Sequence, residues 1–234
     1  VEVQELQHYL DFVATASAAD IVPILDENRV LTYFGMQVYQ QSPRPGLKAL
    51  LGERKKSIIS VNDLIFRVAP RINAAGRMKH GTYAVELLLS DSTEEATKRA
   101  EEIEGFNENR KVLDREITEQ ALIQIQESGH TDKASTVVYN PNWHKGVIGI
   151  VASRLIETHY KPTVVFTRSG DVLTASARSV RGFDLYAALL ACQDYIIQFG
   201  GHKYAAGLTI RPEQYVDFCQ RFEEVVSNQI LPEQ

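Results

Sequence analysis

Residues 161–180, "KPTVVFTRSGDVLTASARSV", decide the fold class of this chain. Two runs rich in β-branched residues flank Ser169, Gly170 and Asp171, which are typical turn residues, so the segment predicts two strands joined by a tight turn. The preceding residues 146–160, "GVIGIVASRLIETHY", have the apolar spacing of an amphipathic helix. Strands that alternate with helices predict an α/β domain.

The rest of the C-terminal half continues this alternation. Residues 134–141, "ASTVVYNP", and 205–210, "AAGLTI", read as strands, whereas 184–196, "DLYAALLACQDYI", and 212–230, "PEQYVDFCQRFEEVVSNQI", read as helices. The glycine-rich residues 198–204, "QFGGHKY", receive no element from their pattern, because two adjacent glycines weaken any regular structure.

The N-terminal third mixes apolar runs with turn signals. Residues 27–41, "ENRVLTYFGMQVYQQ", have helical spacing, and 8–25, "HYLDFVATASAADIVPIL", predict a helix or a strand that ends at Pro23. We predict a loop at "SPRPG" (42–46). The run Leu64–Val68 is β-prone and precedes "RINAAGRM" (71–78), whose small residues predict a turn.

A charged stretch without proline runs from Ser92 to Ser128 and predicts a long helix. Ser92 or Thr93 can cap its start, Gly129 can end it, and Gly105 weakens its middle. A continuous helix would be about 50 Å long, and its polarity indicates a connector between two bodies. One apolar stripe runs along it: Ala96, Ala100, Ile103, Leu113, Ile117, Ala121 and Ile125.

Composition bounds the class of protein. The 234 residues, 44% hydrophobic and 24% charged, are typical of a globular protein with one large domain or two modest ones. There is no apolar run of membrane-spanning length and no signal peptide, and the two cysteines fit a reducing compartment, so we expect a cytoplasmic protein. The chain begins at Val1 without methionine, which we interpret as a fragment.

Charge is unevenly distributed along the chain. The net charge is -5, but residues 91–127 hold eleven acids and five bases, so the remainder is nearly neutral. Four windows contain bases and no acids, namely 64–85, 139–156, 172–183 and 195–212, and the glycine-rich stretches fall inside them. This pattern favours a local anion site on an acidic protein, with chance clustering as the alternative.

Three segments in these windows are rich in glycine and alanine: "RINAAGRM" (71–78), "SARSVRG" (176–182) and "QFGGHKYAAGLTI" (198–210). Each combines a backbone that a ligand can approach with a side chain that donates hydrogen bonds. A guanidinium group matches the geometry of phosphate oxygens, and exposed amides and hydroxyls complete such a cradle. The alternatives are surface turns for the arginines, a packed core histidine for His202 and a loop role for His144, which precedes a helix N-terminus. The candidate residues are Asn73, Arg77, Ser176, Arg178, Gly200, Gly201 and His202.

Metal ligation has a weak signal. The chain has no Cys-x-x-Cys, no His-x-x-x-His and no dense carboxylate cluster, so spacing argues against a zinc site. Asp11 and Asp20 lie within apolar flanks, where a carboxylate is costly unless it is paired, capped or bound to a cation. From the residues alone, a helix cap or turn role remains the alternative for both.

Six segments in one order resemble a known family: "YLDFVATASAADIVPILDENRVL", "RINAAGRM", "NENRKVLDREI", "WHKGVIGIVASRLIE", "TASARSVRGFDL" and "GGHKYAAGLTI". Together they resemble the C-terminal part of the RecJ family of single-strand-specific 5′→3′ DNA exonucleases, within the DHH phosphoesterases. The resemblance implies the end of a DHH catalytic domain (1–82), a connector helix (83–128) and a DHHA1 substrate-binding α/β domain with a mixed sheet (129–234).

The resemblance also implies roles for individual residues. It assigns Asp20 as a metal ligand in preference to Asp11, and places Asn73 and Arg77 beside a centre of two Mn²⁺ or Mg²⁺ ions that hydrolyses a phosphodiester. It implies that Ser176, Arg178 and His202 hold phosphate and that Gly200 and Gly201 admit the DNA backbone. His144 is a further substrate-binding candidate. Single-stranded DNA is the implied partner, possible further partners being a helicase and a single-strand-binding protein.

The chain departs from the family in one respect. The earlier metal motifs of the family, including its Asp-His-His triplet, are absent here, so we expect little nuclease activity from this chain alone. Two other functions stay open: a non-catalytic nucleic-acid-binding or scaffolding module, and a phosphodiesterase of oligonucleotides or cyclic dinucleotides. Four aromatic residues could stack on bases, with core packing as the alternative: Tyr139, Trp143, Phe183 and Tyr204.

Overall fold

The computed structural model describes residues 6–20, 22–52, 58–128 and 133–230. The chain divides into two compact units, Val1–Arg110 and Lys111–Gln234. The long helix α7 (Thr93–Glu127) contributes its first half to one unit and its second half to the other. Within the described residues, no helix is both long and apolar enough to cross a membrane.

The first unit is helical. Its elements are α1 (Leu10–Ala19), α2 (Asp26–Gln41), α3 (Pro45–Leu51), α4 (Val61–Asp63), a π-helical stretch (Leu64–Val68), α5 (Ala69–Met78), α6 (Thr82–Leu88) and the start of α7. Their apolar faces form one core that includes Tyr39, Leu47, Leu64 and Leu87, all fully buried.

The second unit is a mixed five-stranded sheet with helices, so the predicted α/β class is confirmed. Its elements are β1 (Thr136–Tyr139), α8 (Ile148–His159), β2 (Thr163–Ser169), β3 (Val172–Arg178), α9 (Leu185–Leu190), β4 (Gln198–His202), β5 (Ala205–Ile210) and α10 (Tyr215–Gln229). The strand order is β1-β2-β3-β5-β4; β1 and β2 are parallel and the other pairs antiparallel.

The two faces of this sheet differ in which helices pack against them. On one face, Phe166, Ala175 and Leu208 are buried in a core with Phe218 and Phe222 of α10. On the other face, α8 packs on β2 and β3. The part of that face over β5 and β4 stays exposed, at Gly200, His202 and Gly207. We call the surface formed there by alternate residues of β3, β5 and β4 the open face.

The predicted helix at Ser92–Ser128 is confirmed as α7. The Ser92 hydroxyl accepts the Glu95 N–H at 3.1 Å, as an N-cap does, and the stripe residues Ala96, Ile103, Ile117, Ala121 and Ile125 are buried. Gly105 lies within the helix, whereas Gly129 lies outside the described residues. Residues 83–92, which the predicted connector helix included, hold most of α6 and a turn. The predicted domain boundaries stay a prediction.

Three local predictions were wrong, and one strand received no prediction. The β-prone run Leu64–Val68 is π-helical, and "RINAAGRM" lies in α5, because Leu64, Val68 and Ala75 are buried at helical spacing while Phe66 stays 73% exposed. Tertiary burial here overrides β-propensity. The loop at 42–46 ends early, since Pro45 begins α3 as a first-turn proline. Residues 198–202, left without an element, form the edge strand β4.

Candidate functional site

The open face arranges the candidate residues of the second unit in cross-strand rows. Directly paired residues of neighbouring antiparallel strands point to the same face. The first row is Arg178–Ala205–His202 and the second is Ser176–Gly207–Gly200. Strands lie about 4.8 Å apart, so the first row places a guanidinium and an imidazole on either side of one small residue, about 10 Å apart at the backbone.

Arg178 is oriented by its own strand. Its Nη1 donates to the Ser176 hydroxyl at 3.1 Å and to the Ala177 carbonyl at 2.9 Å. These bonds hold the planar guanidinium over the second row. A guanidinium held in this way loses little further entropy when it binds a phosphate in a paired geometry.

The first turn of α8 borders the same two residues. A Cβ atom at Gly149 would lie 2.9 Å from the Ser176 hydroxyl and 3.2 Å from an Arg178 guanidinium nitrogen. Glycine at this position therefore allows the helix N-terminus to approach both side chains. The partial positive charge of that terminus favours an anion beside it.

His202 ends β4, and its ring is exposed. Its Nδ1 accepts the Tyr204 N–H at 3.4 Å, so the neutral ring carries its proton on Nε2. The turn after it is anchored at two points: Ser179 N–H, in the loop after β3, donates to the Tyr204 carbonyl at 3.1 Å, and Leu185 N–H, at the start of α9, donates to the Lys203 carbonyl at 3.0 Å. The motifs "SARSVRG" and "GGHKYAAG" are therefore joined in space.

The two adjacent glycines of β4 have different roles. Gly201 has φ +149°, and a Cβ there would lie 2.3 Å from the Ala205 carbonyl oxygen, so the backbone requires glycine. Gly200 meets nothing within 4 Å of a Cβ. Both glycines are exposed, and their role in admitting a DNA backbone stays a prediction.

We expect Gly201→Ala to lower the free energy of unfolding by about 2–3 kcal/mol, because the side chain adds a backbone clash to an unfavourable φ. Gly200→Ala is the matched control, and we expect it to leave the free energy of unfolding unchanged or to raise it by up to about 1 kcal/mol, because a strand glycine is unfavourable relative to alanine. Urea unfolding followed by circular dichroism measures both. Equal midpoints for the two variants would contradict this account of Gly201.

His144 precedes α8 in the second unit. Its Nδ1 accepts the Gly146 N–H at 3.1 Å, and its carbonyl accepts the Val147 N–H at 2.9 Å. The half-buried ring therefore takes part in the turn that starts the helix, five residues before Gly149. Its role as a substrate-binding residue stays a prediction.

The remaining candidates lie in the first unit. Asp20 is exposed and follows the last residue of α1, with its N–H bonded to the Ala16 carbonyl at 3.0 Å. Asn73 and Arg77 are exposed on α5, four residues apart and so on one side of the helix. Ala19 and Ile72, the neighbours of Asp20 and Asn73, line one apolar groove of about 300 Å³.

Arg77 lies in positive surroundings. Desolvation lowers the pKa of its guanidinium, and the charge of Arg110 lowers it further. Arginine stays protonated at neutral pH despite such shifts, so both side chains keep their charge. The role of Arg77 beside a phosphate stays a prediction.

Metal-ligating groups are sparse. Within the four described ranges, no group of three or more His, Cys, Asp and Glu side chains is placed to hold a metal ion. The buried Asp11 is already paired, because Arg44 Nε donates to its carboxylate at 2.8 Å. The described residues therefore do not by themselves form a metal centre, and Asp20 as a metal ligand stays a prediction.

Three of the four aromatic candidates are packing residues. Phe183 and Trp143 are buried, and the half-buried Tyr139 packs on Tyr215 with ring centroids 5.3 Å apart. Tyr204 is 45% exposed beside His202. The sequence interpretation missed Gly149 and Gly207; a glycine inside an otherwise regular strand was the available signal for the second.

Comparison with known proteins gives a consistent result. Residues 132–228 match the DHHA1 domain family. The chain is 36% identical to the single-stranded-DNA-specific exonuclease RecJ of Bacillus subtilis, over 96% of its own length and 29% of that protein. It is also 36% identical to RecJ of Escherichia coli, over 99% of its length and 42% of that protein.

Solved structures of RecJ also resemble this chain. Crystal structures of Thermus thermophilus RecJ in complex with Mn²⁺ and with Mg²⁺ superpose with TM-scores of 0.84 and 0.83, at 30% and 29% identity, over 97% and 96% of this chain and 34% and 35% of theirs. The resemblance inferred from the motifs is confirmed. The chain spans less than half the length of these relatives.

Proposed function

We propose that the chain is part of a RecJ-like enzyme that hydrolyses single-stranded DNA in the 5′→3′ direction. The premise is that residues 132–228 match the DHHA1 family and that nearly the whole chain is similar to one section of the RecJ exonucleases. The observation that carries the proposal is the first cross-strand row, in which Arg178 and His202 flank Ala205 on an exposed sheet surface.

In this proposal the open face holds the phosphodiester. The Arg178 guanidinium and the Ser176 hydroxyl contact phosphate oxygens, and the Nε2–H of His202 donates to the same group or to the next along the strand. The bare surface at Gly200 allows the sugar–phosphate backbone to lie close to the sheet. His144 and the first turn of α8 add hydrogen-bond donors at one border.

The first unit contributes to the reacting end. Asp20 supplies one carboxylate ligand to divalent cations, which the relatives' crystal structures contain as Mn²⁺ or Mg²⁺. Such cations supply an activated water and neutralise charge on the phosphoryl group when bound. Asn73 and Arg77 orient the phosphate beside them. We further propose a cytoplasmic enzyme, with a helicase and a single-strand-binding protein as partners.

The donor set predicts that this chain alone binds single strands and hydrolyses them poorly. The purified chain is incubated with a short 5′-phosphorylated oligonucleotide and Mn²⁺, and product and binding are measured in parallel. We expect binding, with preference for the single strand over the duplex, and no turnover above background. Turnover at enzyme-like rates would contradict the incomplete centre, and absence of binding would contradict the phosphate-holding face.

A further inference from the structure

A groove lies on the open face and begins at Gly200 and Gly207 of the second cross-strand row. Its volume is about 350 Å³, and it runs along β3, β5 and β4. The third cross-strand row, Thr174–Thr209–Gln198, borders it at the end away from Arg178. Rows are two residues apart along the strand, so the third row lies roughly 13 Å from the first. We call this cavity the third-row groove.

The groove is polar and uncharged. Among the side chains that line it, two hydroxyls and one amide face the open side, and none carries a charge. Threonine hydroxyls and a glutamine amide both donate and accept hydrogen bonds. A second phosphate would meet no cation here, whereas a sugar and a base present neutral donors and acceptors that match these groups.

The floor of the groove is bare without a structural reason. Gly200 and Gly207 are directly paired across β4 and β5. Neither has a positive φ, and an added Cβ meets nothing within 4 Å at Gly200 and only the Ala175 carbonyl oxygen, at 3.8 Å, at Gly207. Glycine in a strand is unfavourable by roughly 0.5–1 kcal/mol relative to alanine. The fold would accept side chains here, so the bare floor leaves space for something outside it.

We propose that the third-row groove holds the nucleoside, sugar and base, next to the phosphate bound by Arg178 and His202. The ring lies on the backbone of Gly200 and Gly207, and the side chains of Thr174, Thr209 and Gln198 contact its polar edge. This inference rests on the proposed function of the open face and adds that base occupancy contributes to affinity at one nucleotide position.

Gly207→Val tests this directly, because a β-branched residue suits a strand and fills the groove. Binding is measured with 5′-phosphorylated oligonucleotides in which a single abasic residue is scanned through each position. For the unmodified protein we expect one position at which loss of the base weakens binding about tenfold, the effect of removing one or two hydrogen bonds. For Gly207→Val we expect the intact strand to bind about tenfold more weakly and that position to become insensitive.

A second variant keeps the test independent of the floor. Thr209→Val with Gln198→Ala removes two of the three polar side chains and leaves Thr174 and both glycines, and we expect most of the base sensitivity to be lost. Thermal unfolding is recorded for each variant, and if Gly207→Val does not fold, the double variant decides. An abasic scan that is flat in the unmodified protein, or unchanged in the double variant, would overturn the groove proposal. If Arg178 binds phosphate, Arg178→Ala weakens the binding of intact and abasic strands equally. Unchanged binding by Arg178→Ala would contradict the proposed function and not the groove proposal.

Discussion

Arg178→Ala is expected to weaken binding of a single-stranded oligonucleotide by about 10- to 100-fold at low salt. Hydrogen bonds to a charged group contribute about 1.5–3 kcal/mol, and each 1.4 kcal/mol is tenfold in affinity. The same change should reduce the slope of log affinity against log salt by about 0.7 for each phosphate that the protein no longer neutralises. Fluorescence anisotropy over a salt series measures both effects, and Arg178→Lys should be intermediate because it keeps the charge without the guanidinium fork.

Arg168→Ala is the matched control for this experiment. Arg168 is an exposed arginine of the same sheet, but it pairs with Leu173 and so belongs to the opposite face. Its removal changes the net charge by the same amount, and we expect at most a small change in affinity at any salt concentration. If the two variants behave alike, the effect is one of overall charge, and the open face loses its assignment as the phosphate site.

The sequence predicted the elements whose signal is local. The strands β2 and β3 were found because two runs rich in β-branched residues flank turn residues, and α7 was found because its apolar residues keep one helical spacing. Strand β4 was missed because Gln198, Gly200 and His202 lack β-propensity. It is a strand because β5 offers it a ladder, with Gly201 accepting the unusual φ that this pairing needs.

The sequence proposed the residue types of the candidate site but did not predict their geometry, and their binding of an anion stays a prediction. Arginine, serine and histidine in acid-free windows indicated an anion site, but sequence order does not give the register that sets Arg178 opposite Ala205 and His202. For the same reason the sequence did not separate Gly201, which the backbone requires, from Gly200, which it does not. Whether Arg77 contacts the same phosphate stays a prediction.

The environments of two aspartates explain which of them is available to a metal ion. Asp11 is fully buried in the first unit, and its carboxylate accepts hydrogen bonds from Arg44 Nε and from the Phe12 N–H, each at 2.8 Å. The Arg44 guanidinium also lies 4.4 Å from the centroid of the Phe12 ring. Asp20 is exposed. Asp11 therefore has a structural role, whereas Asp20 keeps its carboxylate accessible.

We expect Asp11→Asn to lower the free energy of unfolding by about 3 kcal/mol, because it leaves the Arg44 charge without its partner in a largely buried contact. Asp20→Asn is the matched control and should change it by at most about 0.5 kcal/mol, since an exposed aspartate loses little on neutralisation. Urea unfolding at neutral pH measures both variants. If Asp20→Asn is as destabilising as Asp11→Asn, Asp20 is needed by the fold itself, and its assignment as the metal ligand loses the contrast that supports it.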